Sequence, residues 1–259
     1  MKITTKEFMS RLQGKNKTVH FSVDDTLHLL SDLKKLDGES VFHHPVLSFF
    51  KKLHERYSLR VSFYVFEEFD GFNLADVSEQ HTKEFQDNSD WMRFGFHAVN
   101  ENRKYSPEET NIAKADFLRV TEKLSRIVGK ESITSILRLH NWGGDKTVLS
   151  ELSNLGIKGL LCRSNLKQSY YLNLGEILKI FFTGKWYDKN LDLLFIKTNI
   201  RMEKSKNIPL LLSHIKLNHL ELFTHEWAIN DEVKTKIQET CDYLGKQGYV
   251  WSFPEDHFS

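Results

Sequence analysis

At 259 residues and 30.4 kDa, with 40% hydrophobic residues, 27% charged residues and only four prolines, the chain is too apolar to be disordered. Its 36 Lys and Arg balance 35 Asp and Glu, so no global positive field favours nucleic acid or an anionic membrane, and neither is expected as a partner. Cys162 and Cys241 are too few for a disulfide framework and lack metal-site spacing; both read as buried thiols.

In chain order, "TVHFSV" (Thr18 to Val23) alternates and is rich in β-branched and aromatic residues, predicting a first strand that runs into Asp24 and Asp25. Pro45 opens a helix with Val46, Leu47, Phe49, Phe50, Leu53 and Tyr57 at helical spacing. A strand follows from Leu59 to Phe66, then a helical stretch around residues 78–86, then a strand from Trp91 to His97. Ser106, Pro107 and Glu109 form a capping-box start for a helix that Gly129 ends, with Ile112, Phe117, Leu124 and Val128 as its core face. Ser132 to His140 reads as a strand, and Asp145 starts a helix that Gly156 closes before the strand "IKGLLC". Residues 164–209 are less regular, with "DLLFIKTNIRME" a strand candidate in which Arg201 and Glu203 read as an ion pair inside the fold. His219 to His225 is a strand, followed by a helix from Asn230 to Leu244, Gly245 as its stop, and "YVWSF".

This alternation predicts a mostly parallel α/β sheet or barrel in one domain, residues 1–259. The start of the chain lacks an apolar leader, and no stretch approaches the roughly 20 apolar residues that span a bilayer. A cytoplasmic protein without membrane insertion is the expectation, with its oligomeric state open.

Four predicted strands end in polar residues: Asp24 and Asp25, His97, Arg138 with His140, and His225 with Glu226. In parallel α/β folds the carboxyl ends of strands share one rim, where ligands bind. Singly, each has a bland reading: an Asp pair often caps a helix, and an Arg often makes a structural ion pair. The other histidines, including His43, His44, His54 and His81, read as structural or surface residues. Four coincidences favour a site. One carboxylate and an imidazole can hold a divalent ion that activates water near pH 7, a second carboxylate can take a proton, and a separate His can give one.

The ordered set resembles the NodB-homology polysaccharide deacetylases, a carbohydrate esterase family, from Phe21 to about Phe253. "FSVDDT" resembles their first motif, "FGFHAVNE" the second, "RLHNWGGDKTVLSELSNLGIKG" the third and "LELFTHEW" the last. The resemblance implies a distorted (β/α) barrel with one divalent metal ion, zinc first and manganese, cobalt or magnesium as alternatives, acting on a carbohydrate. It implies Asp24 as base, Asp25 and His97 as metal ligands, Arg138 as the residue orienting the base and His225 as general acid. The second histidine of the metal motif is absent, since His97 plus four is Glu101. On a helical turn Glu101 would share a face with His97 and could serve as the oxygen ligand that replaces it; a solvated loop acid is the alternative. His140 is either another third ligand or a substrate contact. Trp142, Trp186 and Trp227 could stack on sugars or simply pack at the rim. The implied activity is removal of an N- or O-acetyl group from a carbohydrate, in a setting such as surface polysaccharide metabolism. The alternatives are a non-catalytic sugar-binding or scaffold relative with a degenerate metal site, or another amide or ester hydrolase on the same fold.

Overall fold

The computed structural model describes residues 17–36 and 38–257; the segment read for a leader lies outside them. Strand β1 (Thr18–Thr26) is central and buried along almost its whole length. Its odd residues Val19, Phe21 and Val23 join the main hydrophobic core, where Phe21 meets Phe50 with ring centroids 5.7 Å apart. Its even residues His20, Ser22 and Asp24 face Glu221, Ser62 and Arg138 instead. A strand buried on both sides is expected of a parallel sheet covered by helices.

The remaining strands are β2 (Val61–Phe66), the β3–β4 hairpin (Glu68–Phe69 and Phe72–Asn73), β5 (Met92–Ala98), β6 (Ile136–Leu137), β7 (Gly159–Cys162), β8 (Lys185–Asp188), β9 (Leu193–Lys197), β10 (Ile200–Arg201), β11 (His219–His225) and β12 (Val250–Trp251). They form two arcs. One runs β10-β11-β1-β2-β5 with β12 beside the start of β1, all parallel; the other runs β6-β7-β9-β8, with β8 antiparallel. The arcs approach at the bridge between Phe94 and Ile133, and again where the Asn199 N–H donates to Glu221 O at 2.8 Å. Gly95 permits the first approach, because a Cβ there would lie 2.6 Å from the Thr134 side chain. The result is the distorted (β/α) barrel type of wall, with no continuous strand ladder closing it among the described residues.

Helices cover the outer face. Pro45–Tyr57 buries Leu47, Phe50 and Leu53, as its spacing predicts. The Ser106 capping box opens a short 3-10 turn, Pro107–Glu109, before the helix Thr110–Val128. Three sequence readings are corrected. Ile112 is 43% exposed, because the core face of that helix runs through Ala113, Phe117, Val120 and Leu124. The strand read over Ser132–His140 shrinks to Ile136–Leu137, since a 3-10 turn occupies each flank. Gly245 does not stop its helix, which continues to Lys246; Gly248, at φ +75°, takes the left-handed position beyond it. The helix Leu174–Thr183, capped by Asn173 and Glu176, and the antiparallel β8 fall in the stretch that lacked a clear sequence pattern.

Candidate metal centre

Two β-bulges build the site. Between Val23 and Thr26, β1 uses one residue more than β2, and Asp25 there takes φ 56°. Strict alternation would send Asp24 and Asp25 to opposite faces; the left-handed residue breaks it, so both acids reach the same rim. Aspartate tolerates this conformation better than most residues, because its short side chain bonds locally. The second bulge lies between β2 and β5, where Val65 pairs with Phe96 and Phe66 with Ala98, leaving His97 as the extra residue.

Among the described residues, Asp25, His97 and His140 form a group whose potential ligand atoms all lie within 4.8 Å of one another. His97 Nε2 is 3.2 Å from Asp25 Oδ1, His140 Nδ1 is 3.2 Å from His97 Nε2, and His140 Nδ1 is 3.6 Å from Asp25 Oδ1. Donors about 2.0 to 2.2 Å from a shared tetrahedral ion would be separated by about 3.3 to 3.6 Å, so this triangle fits. The donor chemistry agrees. His97 Nδ1 is hydrogen-bonded to the carbonyl oxygen of Arg138, which can only accept, so the neutral ring carries its lone pair at Nε2. That lone pair points at a carboxylate oxygen and a second imidazole nitrogen, an arrangement that calls for a cation or a proton between them. Burial pushes the Asp25 carboxyl up, but the neighbouring imidazoles of His140, His97 and His225 prevail and hold it below the usual carboxylate range.

Beside this triangle, Asp24 is 2% exposed and Arg138 is 1% exposed. Arg138 Nε is 3.1 Å from Asp24 Oδ1, an ion pair without hydrogen-bond alignment that leaves Oδ1 without a hydrogen bond. The guanidinium is fixed by Thr198 at 2.7 Å and Ser22 at 3.1 Å, and it lies over the Phe223 ring. Burial raises the Asp24 pKa, opposed by the charges of Arg138, His97 and His225. His225 Nε2 is 3.8 Å from Asp25 Oδ2, while its Nδ1 meets Glu203 Oε1 at 2.6 Å. Arg201 and Thr224 also bond Glu203. Burial acts to raise the Glu203 carboxyl, but these hydrogen bonds and charges lower it overall.

The fold therefore brings Asp24, Asp25, His97, Arg138, His140 and His225 together. Glu101 is outside the group: β5 remains a strand through Ala98 and a turn follows, so the helical i, i+4 relation to His97 does not arise, and Glu101 is exposed. It lines an open groove of about 580 Å³ with Glu68, Phe69, Asp70, Phe72 and Asn100. His140, read as a ligand or a substrate contact, is the third member of the triangle. Trp142 packs against the core beneath Arg163, whose guanidinium is 4.0 Å from the ring centre, and Trp186 packs on Phe195. Trp227 is exposed beside the site, donating from Nε1 to Asp25 Oδ2 at 3.1 Å. Glu226 instead accepts the backbone N–H groups of Leu27, His28 and Leu29, capping the helix His28–Asp32. Sequence reading assigned Glu203 only to an ion pair; its place beneath His225 depends on β10 lying beside β11, which no local pattern signals.

These features define an α/β protein with a carboxylate–imidazole cluster at the carboxyl ends of its strands. Its fold is that of the polysaccharide deacetylases. It superposes on the T48 deacetylase with substrate at a TM-score of 0.51 and 12% identity, covering 94% of this chain and 91% of that one. A Mycobacterium smegmatis protein assigned to the polysaccharide deacetylases gives 0.52 and 11%, covering 92% and 87%. A family 4 carbohydrate esterase from Streptomyces lividans in complex with acetate gives 0.49 and 10%, covering 92% and 93%. No protein-family model and no curated protein matches the chain.

Proposed function

We propose that the protein is a metal-dependent hydrolase that removes an N- or O-acetyl group from a carbohydrate. The Asp25–His97–His140 triangle carries this reading, because three ligand-type atoms 3.2 to 3.6 Å apart have the spacing of donors around one tetrahedral ion. A divalent ion bound there would polarise the acyl carbonyl and lower the pKa of a bound water. One carboxylate with two imidazoles suits zinc, and with Glu101 outside the set, the argument for a harder ion falls away.

The remaining residues divide the proton work. Asp24, whose Oδ1 has no hydrogen bond, takes the proton of the attacking water, and Arg138, 3.1 Å away, orients that carboxylate and opposes the burial that raises its pKa. His225 gives a proton from Nε2 to the departing amine or alkoxide, and Glu203, bonded at Nδ1, fixes the ring orientation. The fold likeness to deacetylases supports the substrate class.

The test is acetate release from a panel of N- and O-acetylated sugars. Activity should vanish on chelation and return with zinc, and Asp24→Asn should lose about 100-fold or more while keeping its metal. Acetate release that survives both chelation and Asp24→Asn contradicts the proposal.

A further inference from the structure

Trp227 lies two residues beyond His225 on the 3-10 turn Glu226–Ala228 and is 64% exposed, so the core does not require it. Its two contacts are nonetheless directed. The indole Nε1 donates to Asp25 Oδ2 at 3.1 Å, and the ring stacks on His225 with centroids 5.1 Å apart and planes inclined by 30°.

The two oxygens of Asp25 consequently do different things. Oδ1 faces His97 Nε2 at 3.2 Å and His140 Nδ1 at 3.6 Å; Oδ2 faces the indole N–H and, at 3.8 Å, His225 Nε2. A carboxylate can ligate through one oxygen or both, and a hydrogen bond to one oxygen favours the one-oxygen mode. We infer that Trp227 is a positioning residue: it holds Asp25 as a one-oxygen ligand and clamps the His225 ring, instead of serving as a sugar-stacking platform. This rests on the metal-dependent reading above.

Two consequences follow for the site. With Oδ2 engaged, Asp25 Oδ1, His97 Nε2 and His140 Nδ1 would be the three atoms holding an ion, and three protein donors are the number typical of catalytic rather than structural metal sites. The indole face and Glu203 together restrain His225 at its ring plane and its Nδ1, leaving Nε2 beside Asp25 Oδ2 at 3.8 Å. Tryptophan supplies both a flat face and an N–H donor; phenylalanine keeps the face and lacks the donor, which separates the two contributions.

The experiment measures zinc affinity of the full, metal-stripped chain by competition with a chelating dye, and the visible spectrum of the cobalt(II)-loaded protein. It compares the parent with Trp227→Phe and Trp227→Leu. Loss of the N–H should weaken zinc binding about tenfold in both variants, the lower end of what outer-shell changes cost. The cobalt absorption should weaken as Asp25 turns to two-oxygen ligation. Both variants should melt like the parent, because the indole is mostly in solvent. Unchanged zinc affinity and cobalt spectrum in both variants, including the case where only KM for the sugar rises, overturn the role assigned to Trp227 and leave the proposed function standing. A parent chain that binds no stoichiometric zinc overturns both.

Discussion

Asp25 does two jobs that are separable by mutation: it occupies a left-handed backbone position at φ 56° and it presents Oδ1 to His97 and His140. Asp25→Asn keeps a residue that tolerates this conformation, whereas Asp25→Ala retains the Cβ clash without the local side-chain bonding that offsets it, a penalty of about 1 kcal/mol. Both should abolish stoichiometric metal, but only the alanine variant should show a lower denaturation midpoint than the asparagine one. The third ligand is tested in the same way. His140→Gln should lose the metal and Glu101→Gln should keep it, read by elemental analysis of purified protein; the reverse result would restore Glu101 to the site. Asp24, Asp25, His97 and His225 were legible in the sequence because each sits at or just past a strand that pattern reveals, whereas Arg138 was reached through a longer strand reading that the structure cuts to Ile136–Leu137. The third member of the Asp25–His97 group was not, because choosing between Glu101 and His140 requires knowing that the chain leaves β5 in a turn rather than a helix.

At the scale of elements, β1 and β11 are held by a buried polar network as well as by their ladder. His20 Nδ1 meets Glu221 Oε2 at 2.8 Å, His219 Nε2 meets Glu221 Oε1 at 2.6 Å, and Ser62 completes the His20 ring at 3.0 Å. Burial alone would raise the Glu221 carboxyl, but the charge and hydrogen bond of His20 and the bond from His219 hold it at about 2. A carboxylate with a depressed folded-state pKa adds stability that is present above its ordinary value near 4.5 and is lost as pH falls toward 2. Glu221→Gln should therefore cost about 3 kcal/mol at neutral pH, and the gap to the parent should narrow as pH drops from about 4.5 toward 2. Chemical denaturation at several pH values measures it; a gap independent of pH contradicts the assignment. The alternation of β1 predicts that a strand exists, but pairing His20 with Glu221 across 201 residues is a tertiary fact that no window reads.

For the whole molecule, the site lies at the carboxyl ends of the strands, and the C-terminal segment packs near the amino ends of β2, β5 and β6. Phe253 is fully buried near His20, and the Arg93 guanidinium lies 4.1 Å from its ring centre. Glu255 bonds Thr134 and the Ser135 N–H, tying this C-terminal segment to the second arc. One hydrophobic cluster runs from Val19 to Trp251, so we propose a single cooperative unit. Phe253→Ala should cost about 3 to 5 kcal/mol and leave zinc affinity unchanged, because it opens a cavity far along β1 from Asp25. Two unfolding transitions in the parent would contradict the single unit. The α/β class was legible because strands and helices alternate at regular spacing. The two-arc wall was not, since β6 and β10 each have two residues and are held by neighbours instead of by their own pattern.

The most direct measurement of the central claim is a crystal structure of the zinc-loaded protein with anomalous data collected at the zinc edge. One ion per chain is expected, about 2.0 to 2.2 Å from Asp25 Oδ1, His97 Nε2 and His140 Nδ1, with Glu101 remote and an open position facing Asp24 and His225. A folded chain with no anomalous peak at that triangle, or with its ion held by Glu101, would contradict it.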